Sequence, residues 1–371
     1  MPSSIDEEPI NTCDSCSTDL WDDSDIYEYD ACVYCESCYN SARYSDECQD
    51  SEWIRDHDHK PTPMFHLDNG RRSHEQPYIS GIPQVAYGLE IETEATGIWD
   101  PSDGAEFITE NCNGLVYCKS DGSLDHGFEI VTHPMSYRYA HNADFFWSSL
   151  DHLRKKGFKA WQTSTCGLHI HISRNAFLND GHKQKFFYFL YGSANKNARD
   201  NAHIANIKKF AGRDTHWSKF DREAFLGTEA LGTDDNGDVI FGAPSLGDVA
   251  KGYVTDKKTG QRISLSRGGT DRYLALNRNN RHTFELRFFR PSLRPATALA
   301  CIEFTQCVFD YTEFVTANAV MNHGALSSFQ MLGEYAMSQG DKYSAFVARA
   351  KARNVFQDGS EKHFDDNDNN C

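Results

Sequence analysis

Several features that would assign this chain to a familiar class are missing. No apolar run approaches the roughly 20 residues that a membrane-spanning helix needs. The first ten residues, MPSSIDEEPI, are acidic and polar, whereas a signal peptide is basic and then apolar. Neither a GxxxxGK[ST] phosphate-binding loop nor a GxGxxG turn occurs. We therefore expect a cytoplasmic protein with no membrane partner. If it binds a nucleotide, it does so without either of these loops.

Basic residues are scarce in the first 60 positions. This segment has seventeen Asp or Glu against Arg43, Arg55 and Lys60, a net charge of -14. Because the whole chain carries -17, the remaining residues contribute only about -3. Phosphate backbones require Lys and Arg opposite them, so the segment is not expected to bind nucleic acid. The imbalance separates a small acidic module, residues 1–60, from a nearly neutral body.

Cysteine is concentrated in the acidic module, which holds six of the twelve cysteines. The spacing of zinc ribbons and treble clefs is found in two CxxC pairs, Cys13 with Cys16 and Cys35 with Cys38. In a reducing cytoplasm such thiolates are metal ligands and not disulfides. We therefore predict structural Zn²⁺, since four thiolates leave no open coordination position. A ligand could be replaced, or a second zinc site formed, by Cys32, Cys48, His57 and His59.

The rest of the chain divides by composition. Residues 61–83 are rich in proline and predict a linker, 84–355 a catalytic domain, and 356–371 a disordered acidic tail. Strand and helix patterns are interspersed without a βαβ rhythm, which indicates an α+β fold. One long helix is predicted over 180–210, and residues 228–271 form an extended loop or short hairpins of unassigned role.

Four predicted strands carry acidic, imidazole and guanidinium groups. The groups are Glu90 and Glu92 in YGLEIETE, Asp121 and Glu129 in SDGSLDHGFEIVTHP, His169, His171 and Ser173 in CGLHIHIS, and Glu285 and Arg287 in HTFELRFFR. Residues two apart on a strand share a face, and carboxylates gathered on one face are costly to bury without a cation. Oxygen ligands with imidazole suit Mg²⁺ or Mn²⁺, and arginine suits phosphoryl groups. Each pair alone fits a solvated strand face, whereas all four together favour an enzyme site for metal and polyphosphate.

These motifs resemble those of the glutamine synthetase-like carboxylate–amine ligases. GLHIHIS resembles their GxHxHxS strand, TFELRFF followed by PS resembles their EFR-containing strand, and YGLEIE resembles their ExE strand. Together with DGSLDHGFEIVTHP, the set is most similar to the amidoligase family of phages and bacteria, and it also resembles gamma-glutamylcysteine ligases. The resemblance covers about residues 84–320. It implies a glutamine synthetase-like catalytic domain, in which a curved antiparallel sheet has helices on its outer face and the site lies in a concave funnel.

The resemblance also implies a role for individual residues. Metal would be bound by Glu90, Glu92, Asp121, Glu129, His169 and Glu285. The catalytic residues would be Glu90, Glu92, Glu129 and Arg287. The nucleotide and its phosphates would contact His171, Ser173, Arg272 and, in a closing loop, Arg262 and Arg267. The acidic cysteine module and the 228–271 loop depart from the family pattern, which leaves substrate recognition unassigned.

The expected activity is ATP-dependent ligation of a carboxylate to an amine, giving an amide or isopeptide bond through an acyl phosphate. Mg²⁺ (or Mn²⁺) would assist, and the zinc module would dock a peptide or protein substrate, in a host cytoplasm if the chain is phage-encoded. One alternative keeps the fold but makes a phosphorylated guanidine or amine. Another is a non-catalytic adaptor that binds its partner through the zinc module. The identity of the substrates and the oligomeric state are not predicted by the sequence.

Overall fold

The computed structural model describes most of the main body and part of the cysteine module. The described residues are 11–20, 26–29, 32–39, 53–79, 81–161, 163, 165–192, 198–213, 218–226, 229–233, 239–242, 245–255, 259–265, 273–316, 319 and 324–356. Four residues named above, Arg43, Cys48, Arg267 and Arg272, lie outside this set. The same holds for the predicted tail from residue 357 onward.

Twenty-one strands occur in the described residues. In chain order, β1 to β21 are Asn11–Thr12, Asp19–Leu20, Tyr27–Tyr29, Cys32–Tyr34, Ile54–Arg55, Phe65–His66, Arg72–Ser73, Tyr78–Ile79, Ile82–Pro83, Ala86–Ala95, Val116–Lys119, Gly127–Thr132, Met135–Ser136, Phe158–Lys159, Leu168–Ser173, Glu229–Thr233, Val239–Gly242, Tyr253–Thr255, Arg262–Ser264, Leu276–Asn277 and Thr283–Phe289. Most are short, and only β10, β12, β15, β16 and β21 exceed four residues.

The α-helices lie between and after these strands. In chain order, α1 to α10 are Pro101–Asn111, Tyr137–Asn142, Asp144–Lys155, Asp180–Tyr191, Ala198–Ala211, Arg222–Leu226, Leu246–Lys251, Pro295–Phe314, Phe329–Ser338 and Ser344–Ala352. Pro295 starts the longest of them, α8, at a position where proline loses no hydrogen bond. With interspersed helices and strands, the fold is α+β, as predicted.

One eleven-stranded sheet organises the main body. Its central path runs β20-β21-β15-β10-β12-β11-β5, and neighbouring strands are antiparallel from β20 to β11. Two pairings at its margins are parallel, β5 with β11 and β6 with β13. The sheet is therefore mixed, whereas a purely antiparallel sheet was expected. The short strands β7 and β14 complete it.

The two faces of the central strands differ in chemistry. Apolar residues such as Leu89, Ile91 and Ile170 are fully buried on one face. Tyr87, on the same face of β10, donates its hydroxyl to Gln306 of α8 at 2.6 Å, which places that helix against the apolar face. The alternate positions carry the charged residues of the four motifs. The period-two alternation therefore leaves one face for the core and the other for the site.

Several segments differ from their predicted form. Residues 61–83, predicted to be a linker, add β6 and β7 to the main sheet. The single helix predicted over 180–210 is interrupted, because Gly192 takes a φ of 72° directly after α4. Residues 228–271, predicted to form an extended loop or short hairpins, do contain two hairpins, β16–β17 and β18–β19, and the short helix α7 between them was not predicted. Among the described residues, no helix combines the length and the apolar character needed to span a bilayer.

Candidate active site on the polar face of the sheet

The strand register brings six of the predicted residues together. The pairs that face each other across neighbouring strands are Glu90 and His169, His171 and Glu285, and Glu92 and Glu129. Side chains at paired positions point to the same face and lie within contact distance. Residues from β10, β12, β15 and β21 therefore meet on one surface, although they are up to about 195 positions apart in the chain.

Glu90 is the centre of this surface. Its Oε2 lies 3.1 Å from His169 Nδ1, and its Oε1 lies 3.1 Å from His171 Nε2. Two groups have ligand atoms within 4.8 Å of one another: Glu90 with Glu129 and His169, and Glu90 with His171 and Glu285. Carboxylate oxygens with one imidazole each suit Mg²⁺ or Mn²⁺. The arrangement can therefore hold two cations that share Glu90.

Histidine controls the charge of Glu90. Burial alone would raise the pKa of this carboxyl group, but His171 and His169 hold it well below its ordinary value. Burial would lower the pKa of His171, but the charge and the hydrogen bond of Glu90, together with the charge of Glu285, raise it. Glu92 behaves differently, since burial raises its pKa and His169 only partly opposes this. The pKa values of Glu90 and Glu92, which were predicted as a pair, are therefore shifted in opposite directions.

Glu285 is fixed by donors from its own region. Its Oε2 accepts hydrogen bonds from Asn277 Nδ2 at 2.8 Å and Asn280 Nδ2 at 2.9 Å, and its Oε1 forms an ion pair with Arg287. Burial and the nearby Glu90 would raise the pKa of Glu285. The opposing attractions, led by His171 and Arg287, are larger in sum, so this pKa lies below its ordinary value. The carboxylate is therefore held charged and oriented at the edge of the site.

Lys119 belongs to the site and escaped the sequence analysis. It lies opposite Glu129 in the β11–β12 pairing, and its Nζ is 2.9 Å from Glu129 Oε2. Burial and the nearby Glu90 raise the pKa of Glu129 well above its ordinary value, and Lys119 offsets part of that rise. The signal was present in the sequence, because Lys119 alternates with the buried Val116 and Cys118 on a strand paired with a motif strand.

Arg213 is the second residue that sequence reasoning missed. It follows Gly212, whose φ of 76° turns the chain at the end of α5. A Cβ added at Gly167 would lie 2.2 Å from Arg213 Nη1 and 2.8 Å from His169 Nε2, so the absence of a side chain at Gly167 makes room for both. Burial lowers the pKa of Arg213, and Glu92 opposes the effect.

Four polar atoms of the site are buried and lack a hydrogen-bond partner among the described residues: Glu92 Oε2, Arg213 Nη1, Arg287 Nε and His171 Nε2. The last of these lies at an ion-pair distance of 3.1 Å from Glu90 Oε1, which the other three atoms lack. A buried polar group without a partner is costly, and such groups are rare in folded proteins. A bound anion could accept hydrogen bonds from the two guanidinium atoms. A donor group attached to that anion could bond to the Glu92 oxygen.

Five predicted residues that the structure describes lie outside the two ligand groups: Glu92 and Arg287, whose contacts are given above, and Asp121, Ser173 and Arg262. The Asp121 carboxylate accepts a hydrogen bond from the Ser123 amide at 2.8 Å and so stabilises its own turn. Ser173 Oγ accepts from the Ala86 amide at 3.0 Å, which ties β15 to the start of β10. Arg262 lies in the β18–β19 hairpin with its guanidinium 4.6 Å from the centre of the Tyr253 ring.

A cavity of about 550 Å³ adjoins Glu90 and His171. Its wall includes Ser173 and the aromatic rings of Phe65 and Tyr117. Further polar lining comes from Lys60, His74, Gln76, His133, Arg174, Asn175, Arg281 and His282. The volume is that of a small-molecule site. We call this space the histidine-side cavity.

The cysteine cluster forms a second candidate metal centre. The sulfur atoms of the two predicted CxxC pairs, Cys13, Cys16, Cys35 and Cys38, lie within 4.8 Å of one another. Hydrogen bonds between Asp14 and Val33, at 2.7 and 2.8 Å, join the first CxxC turn to β4, which directly precedes the second. The described residues contain no second cysteine–histidine group around His57 or His59. Four converging thiol groups fit one tetrahedral ion.

Comparison with solved structures gives a likeness of fold at low sequence identity. No protein-family model and no curated protein sequence matches the chain. The fold is similar to the solved structure titled "Crystal structure of the complex between Prokaryotic Ubiquitin-like Protein Pup and its Ligase PafA", with a TM-score of 0.30 and 10% identity. The match covers 73% of this chain and 64% of that chain. A likeness at this level does not argue for a shared activity.

Proposed function

We propose that this protein is an ATP-dependent carboxylate–amine ligase. The observation that carries the proposal is the Glu90 cluster, in which two potential cation positions share one carboxylate beside two unpartnered guanidinium atoms. Divalent cations and arginine are the usual means of binding and polarising a transferring phosphoryl group. The motif resemblance to glutamine synthetase-like ligases points to the same chemistry.

The metal would be Mg²⁺ or Mn²⁺. Glu90, Glu129 and His169 would hold one ion, and Glu90, His171 and Glu285 would hold the other. Bound there, the ions would offset negative charge on the ATP phosphates. Lys119 keeps Glu129 in place, and Asn277 and Asn280 do the same for Glu285. These neighbours preserve the orientation of the ligand atoms, which is how supporting residues tune a metal centre.

The nucleotide would occupy the histidine-side cavity. Its aromatic lining can contact a base, while His171 and Ser173 lie where the cavity meets the carboxylates. This direction of entry places the terminal phosphate near Glu90 and leaves Arg287 and Arg213 for the phosphoryl group. Arg262 plays no part in this assignment, because it is not among the residues that line the cavity.

The reaction would proceed in two steps. A carboxylate oxygen of the substrate attacks the terminal phosphorus of ATP, and ADP leaves, which gives an acyl phosphate. An amine nitrogen then attacks the acyl carbon, inorganic phosphate leaves, and the nitrogen gives up a proton. Arg213 and Arg287 stabilise the phosphoryl charge that develops. Glu92, whose Oε2 is unpartnered, can accept the proton of the attacking amine.

The cysteine cluster would bind one structural Zn²⁺ and support a surface that docks a peptide or protein substrate. A module this short and polar has little core of its own, so a metal supplies much of its folding free energy. Metal analysis of the purified chain is expected to give one zinc per molecule. The double variant Cys13→Ser/Cys16→Ser should lose it while the main sheet still unfolds cooperatively.

The decisive experiment follows oxygen during turnover. The full chain is incubated with Mg-ATP, amines and ¹⁸O-labelled carboxylates drawn from amino acids and acidic peptides. A ligase yields ADP and an amide whose mass is the sum of both substrates less one water. Passage through an acyl phosphate transfers one ¹⁸O atom to inorganic phosphate.

Other products would overturn the proposal in specific ways. A stable phosphorylated amine or guanidine, without amide, would make the protein a phosphotransferase. An absence of ADP with every substrate pair, combined with no Mg²⁺-dependent ATP binding, would leave only a non-catalytic role. The variant Glu106→Gln, an exposed position on α1, serves as the control for charge removal outside the site.

A further inference from the structure

A second cavity, of about 640 Å³, is strongly basic although the protein as a whole carries a charge of -17. It lies between the end of α3, β14 with the loop that follows, and the start of α8. Its charged lining consists of Arg154, Lys159, Arg294 and Arg349, and no acidic residue of the described part of the chain lines it. We call it the basic cavity.

The positive charges of the basic cavity are only partly neutralised. Arg154 is paired with Asp151 at 2.7 Å, and Arg349 donates to the Phe210 carbonyl at 3.2 Å. The side chains of Lys159 and Arg294 have no ion-pair or hydrogen-bond partner in the described part of the chain. Arg294 is also the N-cap residue of α8, and no side chain caps the helix there. The dipole of α8 therefore adds positive potential at this end of the helix.

An aromatic wall stands beside these charges. Trp161 lines the cavity and keeps 36% of its surface exposed. Arg290 lies 4.2 Å from its ring and donates two hydrogen bonds to its carbonyl, at 3.0 and 2.7 Å. Arg290 therefore holds both the indole ring and the backbone of Trp161 in place. A fixed aromatic face next to free cations suits an anion that also carries apolar atoms.

The basic cavity begins where the strands of the active site end. Lys159 lies opposite Glu94 in the backbone pairing of β14 with β10, two residues beyond Glu92. Arg290 follows β21 and is three residues beyond Arg287. At about 3.3 Å per residue along a strand, these steps correspond to roughly 7 and 10 Å. The histidine-side cavity lies at the other end of the same strands, where Gly88 and Thr283 line it. A short extended chain could therefore reach from the site into the basic cavity.

We infer that the basic cavity binds an acidic peptide segment of the substrate, which rests on the proposed ligase function. Carboxylates two or three residues from the reacting group would contact Lys159 and Arg294, and the peptide would cover Trp161. A long polyanion such as nucleic acid fits less well, because it would extend past the basic cavity over the surface of a chain whose net charge is -17. A short acidic peptide encounters mainly the local positive charge.

Direct binding tests the inference without turnover. A fluorescein-labelled tetraglutamate is titrated with the full chain, followed by fluorescence anisotropy, with tetraglutamine and tetralysine as reference peptides. We expect tetraglutamate to bind best and its affinity to fall with added salt. In the double variant Lys159→Gln/Arg294→Gln, the dissociation constant should rise about tenfold.

The matched control removes the same charge elsewhere. Arg71 and Arg138 are exposed and do not line the basic cavity, so Arg71→Gln/Arg138→Gln should change the dissociation constant less than about twofold. Equal losses in both double variants, or no preference for tetraglutamate over tetraglutamine, would refute the inference. Tighter binding of a decathymidylate than of tetraglutamate, lost in the first variant, would instead assign the cavity to nucleic acid.

The two proposals fail separately. Tetraglutamate binding that depends on Lys159 and Arg294, without any ADP formation from ATP, would keep the anion site and remove the ligase function. Amide formation without such binding would keep the ligase function and remove the acidic substrate class.

Discussion

Two glutamates in different layers of this protein contact histidine, and their surroundings differ. Glu303, on α8, accepts from His141 Nε2 at 2.9 Å with one oxygen and from the Phe346 amide at 2.8 Å with the other. Glu90, on the sheet, lies between two histidines beside Glu129 and Glu285. Each carboxylate has a nitrogen close to both of its oxygens, but around Glu90 several buried polar atoms of neighbouring side chains have no hydrogen-bond partner among the described residues.

The difference distinguishes a structural ion pair from a binding site. The bonds of Glu303 join α2, α8 and α10, and removing one partner of such a pair leaves a buried charge uncompensated. The Glu90 cluster gathers carboxylates at a cost in stability that a bound cation and anion would offset. Residue types alone do not separate the two cases, but the completeness of their hydrogen bonding does.

The largest expected effect concerns activity at the sheet cluster. Glu90→Gln should lower ATP consumption about 1000-fold, because both potential cation positions lose their shared ligand. The free energy of unfolding should fall by no more than about 1 kcal/mol, since relief of the repulsion from Glu129 and Glu285 offsets most of the loss of the ion pairs with His169 and His171. ADP release and urea unfolding measure the two quantities. A large loss of stability in this variant would place Glu90 in the same class as Glu303.

The converse change addresses the helical layer. Glu303→Gln should lower the free energy of unfolding by about 3 kcal/mol, because an amide cannot accept from both His141 and the Phe346 backbone. ATP consumption per folded molecule should remain at the level of the unmodified protein. Urea unfolding with parallel activity assays checks both parts, and a selective loss of activity would contradict the structural assignment.

Arg213 is expected to give a smaller effect on activity. Arg213→Gln should slow turnover about 30-fold, because one donor to the phosphoryl group is lost. Stability should fall by no more than about 0.5 kcal/mol, since the buried Nη1 has no partner to leave behind. Steady-state kinetics with saturating Mg-ATP measures the first quantity. Arg138→Gln, at an exposed position on α2, is the control.

The smallest effect is a pH dependence of stability. Burial would lower the pKa of His141, but its bonds to Glu303 and the Tyr137 carbonyl raise it above the ordinary value. The stabilisation is therefore complete below the unfolded pKa of about 6.5 and is lost as pH rises through the folded pKa. Urea unfolding from about pH 5.5 upward should show a decline of the order of 1 kcal/mol. His141→Gln should remove that decline.

The sequence predicted most of the sheet cluster because the signal is local. Alternation along β10, β15 and β21 puts Glu90, His169 and Glu285 on a polar face opposite a buried apolar one, and the printed order of residues contains that pattern. The register between strands, such as Glu90 opposite His169, depends on contacts between distant segments and was not predictable from alternation.

The missed residues show where local patterns end. Arg213 reaches the site only because Gly212 turns the chain after α5 and Gly167 leaves space, and neither condition is visible around residue 213. The break after Tyr191 has a similar origin, since a glycine ends α4 inside a segment whose composition continues to favour helix. The basic cavity combines residues from β14, α8 and α10, which no single segment of the sequence indicates.

The pairing of β5 with β11 has a practical consequence for shortening the chain. Arg55 lies opposite Lys119, so the residues that follow the cysteine cluster cover the outer edge of the strand that carries Lys119. A chain that starts after residue 60 would leave the backbone of β11 open along that edge and available to other molecules, which is how unprotected edges cause aggregation. A shortened chain that lacks only the cysteine cluster should therefore begin no later than Trp53.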